Sequence, residues 1–138
     1  MRYLFIILLI AFSATAFAQS SIYNPRKPSN CTLKKTGPEQ PLKGRVWVVD
    51  SEYEADLLVY VATWPTDSAF AVKIFDHHRI NPDCGEWSIV NMYDGHEWPA
   101  HDFKIALTPD DWEADLIILL DHNRTQNRRF MDKYNISW

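Results

Sequence analysis

The chain has 138 residues, a formal net charge of −4 and an aromatic share of 14%. That length fits a single core, and the acidic balance excludes a protein built to grip a phosphate backbone. Only 4 glycines are present and Gly-x-Ser-x-Gly is absent, so a phosphate loop and a hydrolase nucleophile elbow have no motif to rest on.

The first residues read as a leader. Arg2 supplies a positive n-region, Leu4 to Phe12 an uncharged apolar run, and Ala16-Phe17-Ala18 before Gln19 a small-x-small cleavage site. This pattern predicts a signal peptide over residues 1–18 and a secreted or periplasmic protein. The apolar run is short of the ~20 residues a membrane span needs, and no second run is longer, so no membrane insertion is expected after cleavage. Removing Arg2 with the leader takes the charge from −4 to −5. Residues 19–43 form an arm with Pro25, Pro28, Pro38 and Pro41, where regular structure is disfavoured. Cys31 and Cys84 are an even pair in an oxidising compartment; a disulfide between them is expected, with two unpaired thiols as the alternative.

From Val46 the pattern alternates. Val46/Val48, Leu57/Val59/Val61, Phe70/Val72/Ile74, Trp87/Ile89, Phe103/Ile105/Leu107 and Leu116/Ile118/Leu120 each share a face, which is the period of a strand. The equivalent residues Val46, Val59, Val72, Ile89, Ile105 and Ile118 follow one another at steps of 13, 13, 17, 16 and 13. The unit is therefore 13 residues with two short insertions, one holding Asn81-Pro82-Asp83 and one holding Asp94-Gly95 and Pro99.

The repeat is plainest at a shift of 59, where VWVVDSEYEADLLVYV from Val46 finds IALTPDDWEADLIILL from Ile105. Tyr53 returns as Trp112, Ala55 as Ala114 and Asp56 as Asp115. A residue present once per unit serves the unit. The rings are expected to cap the core, the alanines to pack beneath them, and Asp56 and Asp115 to accept from backbone N–H groups. The competing reading makes Glu54/Asp56 and Glu113/Asp115 acid–base pairs.

Ser51-x-x-Glu54 fits a capping box, and Thr108-Pro109-Asp110-Asp111 gives a cap, a Pro at the first helical position and acids behind it. Each connection has room for a helical turn but not for the dozen or more residues of an ordinary parallel crossover. Either successive units pair antiparallel or the chain winds in a tight coil. Constant inward positions, and strands apolar on both faces, favour the coil. The fold class is thus mainly β with short helical turns: a compact coil of about six short strands over 44–121. A tail over 122–138 follows, where Phe130, Met131 and Tyr134 mark a short C-terminal helix.

VWVVDSEYEADLLVYV and the later DFKIALTPDDWEADLIIL resemble the septoil knot domain family of small β-rich bacterial proteins, over about Gly44 to Asp121. The resemblance implies a compact coil threaded as a seven-crossing torus knot. It implies no activity, and no catalytic residue is carried over.

What remains for chemistry lies outside the repeat. His77, His78, His96 and His101 stand at strand ends with Asp76, Asp83, Cys84 and Asp94, and His122 follows the last strand. Imidazole with carboxylate suits zinc or copper, although no His-x-x-x-His or Cys-x-x-Cys spacing is present and an oxidised Cys84 cannot ligate. Three functions follow. The first is a secreted structural or binding domain without catalysis or cofactor. The second is a small secreted metal-dependent hydrolase using the strand-end histidines with zinc or copper. The third is a secreted effector or inhibitor that binds a protein partner through Trp64, Trp98 and the loops. The basic tail, with Arg124, Arg128, Arg129 and Lys133, is a further contact surface for an anionic partner. No nucleic-acid partner is expected.

Overall fold

The structure, a computed structural model, describes residues 31–35, 38–66, 69–93 and 100–137. The leader, most of the Pro-rich arm, His96 and Trp98 lie outside the described residues. A two-stranded antiparallel hairpin, β1 (Thr32–Leu33) and β2 (Gln40–Pro41), precedes the barrel. The barrel strands are β3 (Gly44–Val48), β4 (Leu57–Ala62), β5 (Phe70–Phe75), β6 (Glu86–Ile89), β7 (Phe103–Leu107) and β8 (Leu116–Leu120). A 3-10 turn, Asp111–Glu113, lies between β7 and β8, and helix α1 (Thr125–Lys133) ends the fold.

All six barrel pairs are parallel, and the ring runs β3-β7-β4-β8-β5-β6 and back to β3. This settles the direction the sequence left open. Successive strands β3, β4 and β5 sit at every second place in the ring. A further step of two from β5 would land on β3, which is occupied. The chain instead moves one place, into the gap between β5 and β3, and β6, β7 and β8 then fill the spaces of the first lap. The single step is made by the connection containing Asn81-Pro82-Asp83, which explains the longer repeat there. The 59-residue repeat also gains a meaning: it is one lap and one place, so β3 lies beside its repeat β7 and β4 beside β8.

The ladder is strongly staggered. Followed once around from Val46, the registers lead through Phe103 and the four remaining strands to Lys34, a shear of 12 on the strand where it began. Such shear tilts the strands steeply, and the interior that six strands enclose is filled by side chains rather than open as a channel. Short strands shorten the return path too. A strand of five residues spans roughly 17 Å, and eight connecting residues such as 49–56 reach up to about 27 Å, enough to climb back past one neighbour.

Alternation places one side chain in two inside. Val46, Val59, Ile74, Trp87, Phe103, Ile105 and Ile118 are fully buried, with Trp87 and Phe103 edge to face at 5.4 Å between centroids. Ala106 and Ile117 point outward yet are buried, the two-sided burial of a parallel sheet overlaid by chain. The ends are closed differently. Leu42, before β3, is fully buried at one end. At the other, α1 inserts Phe130 and Met131 into the same core. Asn127 joins helix to barrel: its Oδ1 accepts the Ile74 N–H at 2.8 Å and its Nδ2 donates to the Asp121 carbonyl at 3.0 Å. The Lys133 ammonium donates to the carbonyls of Asn91 and Met92, both at 2.6 Å.

Two capping expectations are corrected. Residues 52–54 form a turn, not a helix, with the Ser51 hydroxyl accepting the Tyr53 N–H at 3.3 Å. The 3-10 turn starts after Asp110, not Thr108; the Thr108 hydroxyl accepts the Asp110 N–H at 3.2 Å and so shapes the approach rather than the first turn itself.

Candidate functional site

The connections carry the surface. Each of three crossovers is hydrogen-bonded at both ends to the strand it passes. The β3–β4 connection crosses β7, with Val49 N–H donating to the Ile105 carbonyl at 2.8 Å and Asp56 N–H to that of Lys104 at 2.9 Å. The β7–β8 connection crosses β4 through Thr108 to Val59 at 2.9 Å and Asp115 to Leu58 at 2.8 Å. The β6–β7 connection crosses β3 through Val90 to Val46 at 2.9 Å and Asp102 to Arg45 at 2.8 Å.

An aspartate closes each crossover. The carboxylate of Asp56 accepts the Lys104 N–H at 2.7 Å, that of Asp115 the Leu58 N–H at 2.8 Å, and that of Asp102 the Arg45 N–H at 2.7 Å. These carboxylates receive backbone donors as the repeat predicts. Asp102 is a third member that the sequence reading passed over. Its signal is His101-Asp102-Phe103, the same order of Asp before the first inward residue as Ala55-Asp56-Leu57 and Ala114-Asp115-Leu116. Burial works to raise the Asp102 carboxyl, but the Arg45 N–H and guanidinium outweigh it and hold the group below the usual carboxylate range.

The rings of the repeat do not cap the core. Tyr53 is 93% exposed and Trp112 is 67% exposed, while Ala55 and Ala114 are half-buried. The barrel is already filled by one side chain in two, so the turns have no interior left to cover. The other three connections between barrel strands each carry a large exposed apolar side chain as well: Trp64, Ile80 and Tyr93.

The Tyr53 and Trp112 turns lie side by side. Glu52 lines a groove of about 390 Å³ with Tyr53, Leu33, Lys35 and Leu57. The same Glu52 lines a second groove of about 540 Å³ with Leu58, Trp112 and Glu113. Asp50 and Glu54 line a separate groove with Lys133 and Tyr134, while Glu52, Asp110, Asp111 and Glu113 are exposed on the two turns. Lys35 reaches into this field and pairs with Asp115 at 2.9 Å.

The opposite side of the ring is basic. β5 stands across the barrel from β7, and Arg79 and Arg124 both stack on its Phe75 ring, at 4.4 and 5.1 Å from the centroid. Arg128 and Arg129 are exposed on α1.

Cys31 and Cys84 form a disulfide with a Cα–Cα separation of 5.5 Å, so Cys84 is withdrawn from the candidate metal ligands. His77, His78 and His101 are exposed. His77 Nδ1 lies 2.7 Å from Asp76 Oδ1, and this hydrogen bond holds the Asp76 carboxyl below its ordinary value. His101 meets Trp47 edge to face at 5.6 Å. Among the described residues no three His, Cys, Asp or Glu side chains are grouped to hold a metal ion. His96, the fourth candidate ligand, lies outside them. Tyr134 is half-buried against Phe130, and burial, with Asp50 nearby, pushes its phenol up to about 12.

The family model described as the 7(1) septoil knot domain matches residues 33–128. No curated protein and no solved structure matches the chain. Among the described residues no helix is long and apolar enough to cross a membrane.

Proposed function

The chain belongs to the septoil knot domain family, and from that premise we propose that it is a binding domain that engages a protein partner outside the cytoplasm. The observation that carries this reading is the placement of Tyr53, Trp64, Ile80, Tyr93 and Trp112, which put an exposed large side chain among the described residues of each connection between barrel strands. Burying such side chains on the outside would stabilise a complex, and Tyr and Trp are the residues on which binding energy concentrates. Tyr53 and Trp112 stand on connections hydrogen-bonded at both ends to the strand they cross, so little ordering entropy is lost there on binding. The disulfide supports an oxidising compartment.

The test is a fourfold variant, Tyr53→Ser, Trp64→Ser, Ile80→Ser and Trp112→Ser, compared with the wild-type mature chain. Both are expected to give the same far-UV circular dichroism. In cross-linking within the extracytoplasmic fraction of the native host, the wild type is expected to yield a specific adduct that the variant does not. An identical adduct pattern, or none with either protein, would remove the reading.

A further inference from the structure

We infer that the face built by the Tyr53 and Trp112 turns docks a cationic segment of the partner protein, a stretch rich in lysine or arginine. The inference rests on the binding-domain reading and assigns it one surface and one partner chemistry. Three observations point to it.

The first is apolar. Tyr53 and Trp112 project into solvent on adjoining turns, with Leu58 at the floor of the groove beside Trp112. Ring faces in that position attract ammonium and guanidinium groups as well as aliphatic stems. The second is charge. Glu52 lines both grooves beside the rings and Glu113 the second, and Asp110 and Asp111 are exposed just before Trp112 in the chain. Asp56 and Asp115, by contrast, are engaged by backbone N–H groups and serve the fold. The third is a basic side chain already beside the first groove: Lys35, from outside the barrel, lines it with Glu52 and Tyr53, its ammonium also 2.9 Å from the fold-bound Asp115. A basic chain laid along the grooves would set its charged groups against Glu52 and Glu113 while its stems cover the rings. Of the molecule's own arginines, Arg79 and Arg124 stack on Phe75 of β5, across the barrel from this face.

The test uses the mature chain with its disulfide and a fluorescein-labelled nonalysine peptide as the probe, read by anisotropy at about 0.15 M salt, where surface charge is screened beyond roughly 8 Å. Nonalysine is expected to bind, and nonaglutamate not to. Tyr53→Ala with Trp112→Ala is expected to weaken binding at least tenfold, and Glu52→Gln with Glu113→Gln to weaken it and flatten its salt dependence. Arg128→Ala should leave it unchanged. All of these side chains are exposed, so unchanged circular dichroism confirms that the variants fold. Nonalysine binding that is insensitive to the loss of both rings would overturn the inference, as would no binding at this salt. A dimer seen by sedimentation and abolished by Tyr53→Ala with Trp112→Ala, without peptide binding, would make a second copy the occupant and also overturn it. A cross-linked partner that requires Trp64 and Ile80 but neither Tyr53 nor Trp112 would leave the binding-domain reading standing and sink this one alone.

Discussion

Asp115 and Leu58, 57 residues apart, exchange two hydrogen bonds: the Asp115 N–H donates to the Leu58 carbonyl at 2.8 Å, and the Asp115 carboxylate accepts the Leu58 N–H at 2.8 Å. The pair fixes where β8 enters the gap between β4 and β5. Asp56 with Lys104 and Asp102 with Arg45 do the same for β4 and β7. In each case one side chain sets the register between the two laps of the chain.

Asp115→Ala and Asp56→Ala should therefore each destabilise the protein by about 1.5 kcal/mol, the low end for a hydrogen bond to a charged acceptor. Asn at either site keeps an acceptor oxygen and should recover part of the loss. Trp112→Ala, at an exposed ring, should stay within about 0.5 kcal/mol of wild type. Urea unfolding followed by tryptophan fluorescence and circular dichroism measures all of these; equal losses for Asp115→Ala and Trp112→Ala would contradict the assignment.

The Asp102 carboxyl titrates below its unfolded value because Arg45 meets it with both an N–H and a guanidinium, against the contrary pull of burial. A carboxyl whose folded pKa is depressed contributes stability that is present above its unfolded pKa of about 3.9 and is lost as pH falls through the folded value. Asp102→Asn should consequently be less stable than wild type at pH 7, and the gap should close below about pH 4. Asp76, held low mainly by His77, should behave with the same sign. Urea midpoints for Asp102→Asn and wild type at pH 7, 4 and 3 check it; a gap that widens on acidification would reverse the sign.

Much of this fold could be read from local pattern. The inward residues, the first insertion and the C-terminal helix all depend on neighbours in sequence, and each is found in the structure. The ring order could not be read that way. It depends on which lap fills which gap, a choice made between strands 43 to 57 residues apart, as at Val46 with Ile89 and Val46 with Phe103. The same limit explains the misplaced rings. Tyr53 and Trp112 look like core-capping residues until the strands, with Leu42 at one end and Phe130 and Met131 of α1 at the other, are seen to fill the interior. The repeated aspartates were legible in two of three units. Asp102 was hidden because the second insertion precedes it and His101 replaces the alanine of the motif.

Asn127 is the buried polar side chain on which the helix docks. It is 0% exposed and has hydrogen bonds to the Ile74 N–H and the Asp121 carbonyl. Asn127→Leu would leave the Ile74 N–H unpaired in the core, while the Asp121 carbonyl keeps the Arg124 N–H, at a cost of about 1–3 kcal/mol. The loss should be local first: exchange of the Ile74 amide should accelerate ahead of that of Ile105, on the far wall. Hydrogen exchange followed residue by residue tests the order, and uniform acceleration would show that the helix and barrel open as one unit.

The Cys31–Cys84 disulfide closes a segment of 53 residues that contains all of β3, β4 and β5. Chain-entropy arguments give such a link about 4 kcal/mol, by restricting the unfolded chain. Its native surroundings show what reduction would loosen. The Leu42 N–H donates to the Cys31 carbonyl at 2.8 Å, and the Leu42 carbonyl accepts from both the Gly85 N–H at 3.0 Å and the Trp87 indole at 3.1 Å. The barrel ladders do not run through the hairpin, so Cys31→Ser with Cys84→Ser should keep the wild-type far-UV spectrum at 25 °C while the urea midpoint falls sharply. The Trp87 indole N–H should exchange faster than in the oxidised protein, since its acceptor is held next to the bond that was removed. An unchanged urea midpoint would mean that the hairpin is anchored by Leu42 alone, and that the link constrains nothing the core does not already hold.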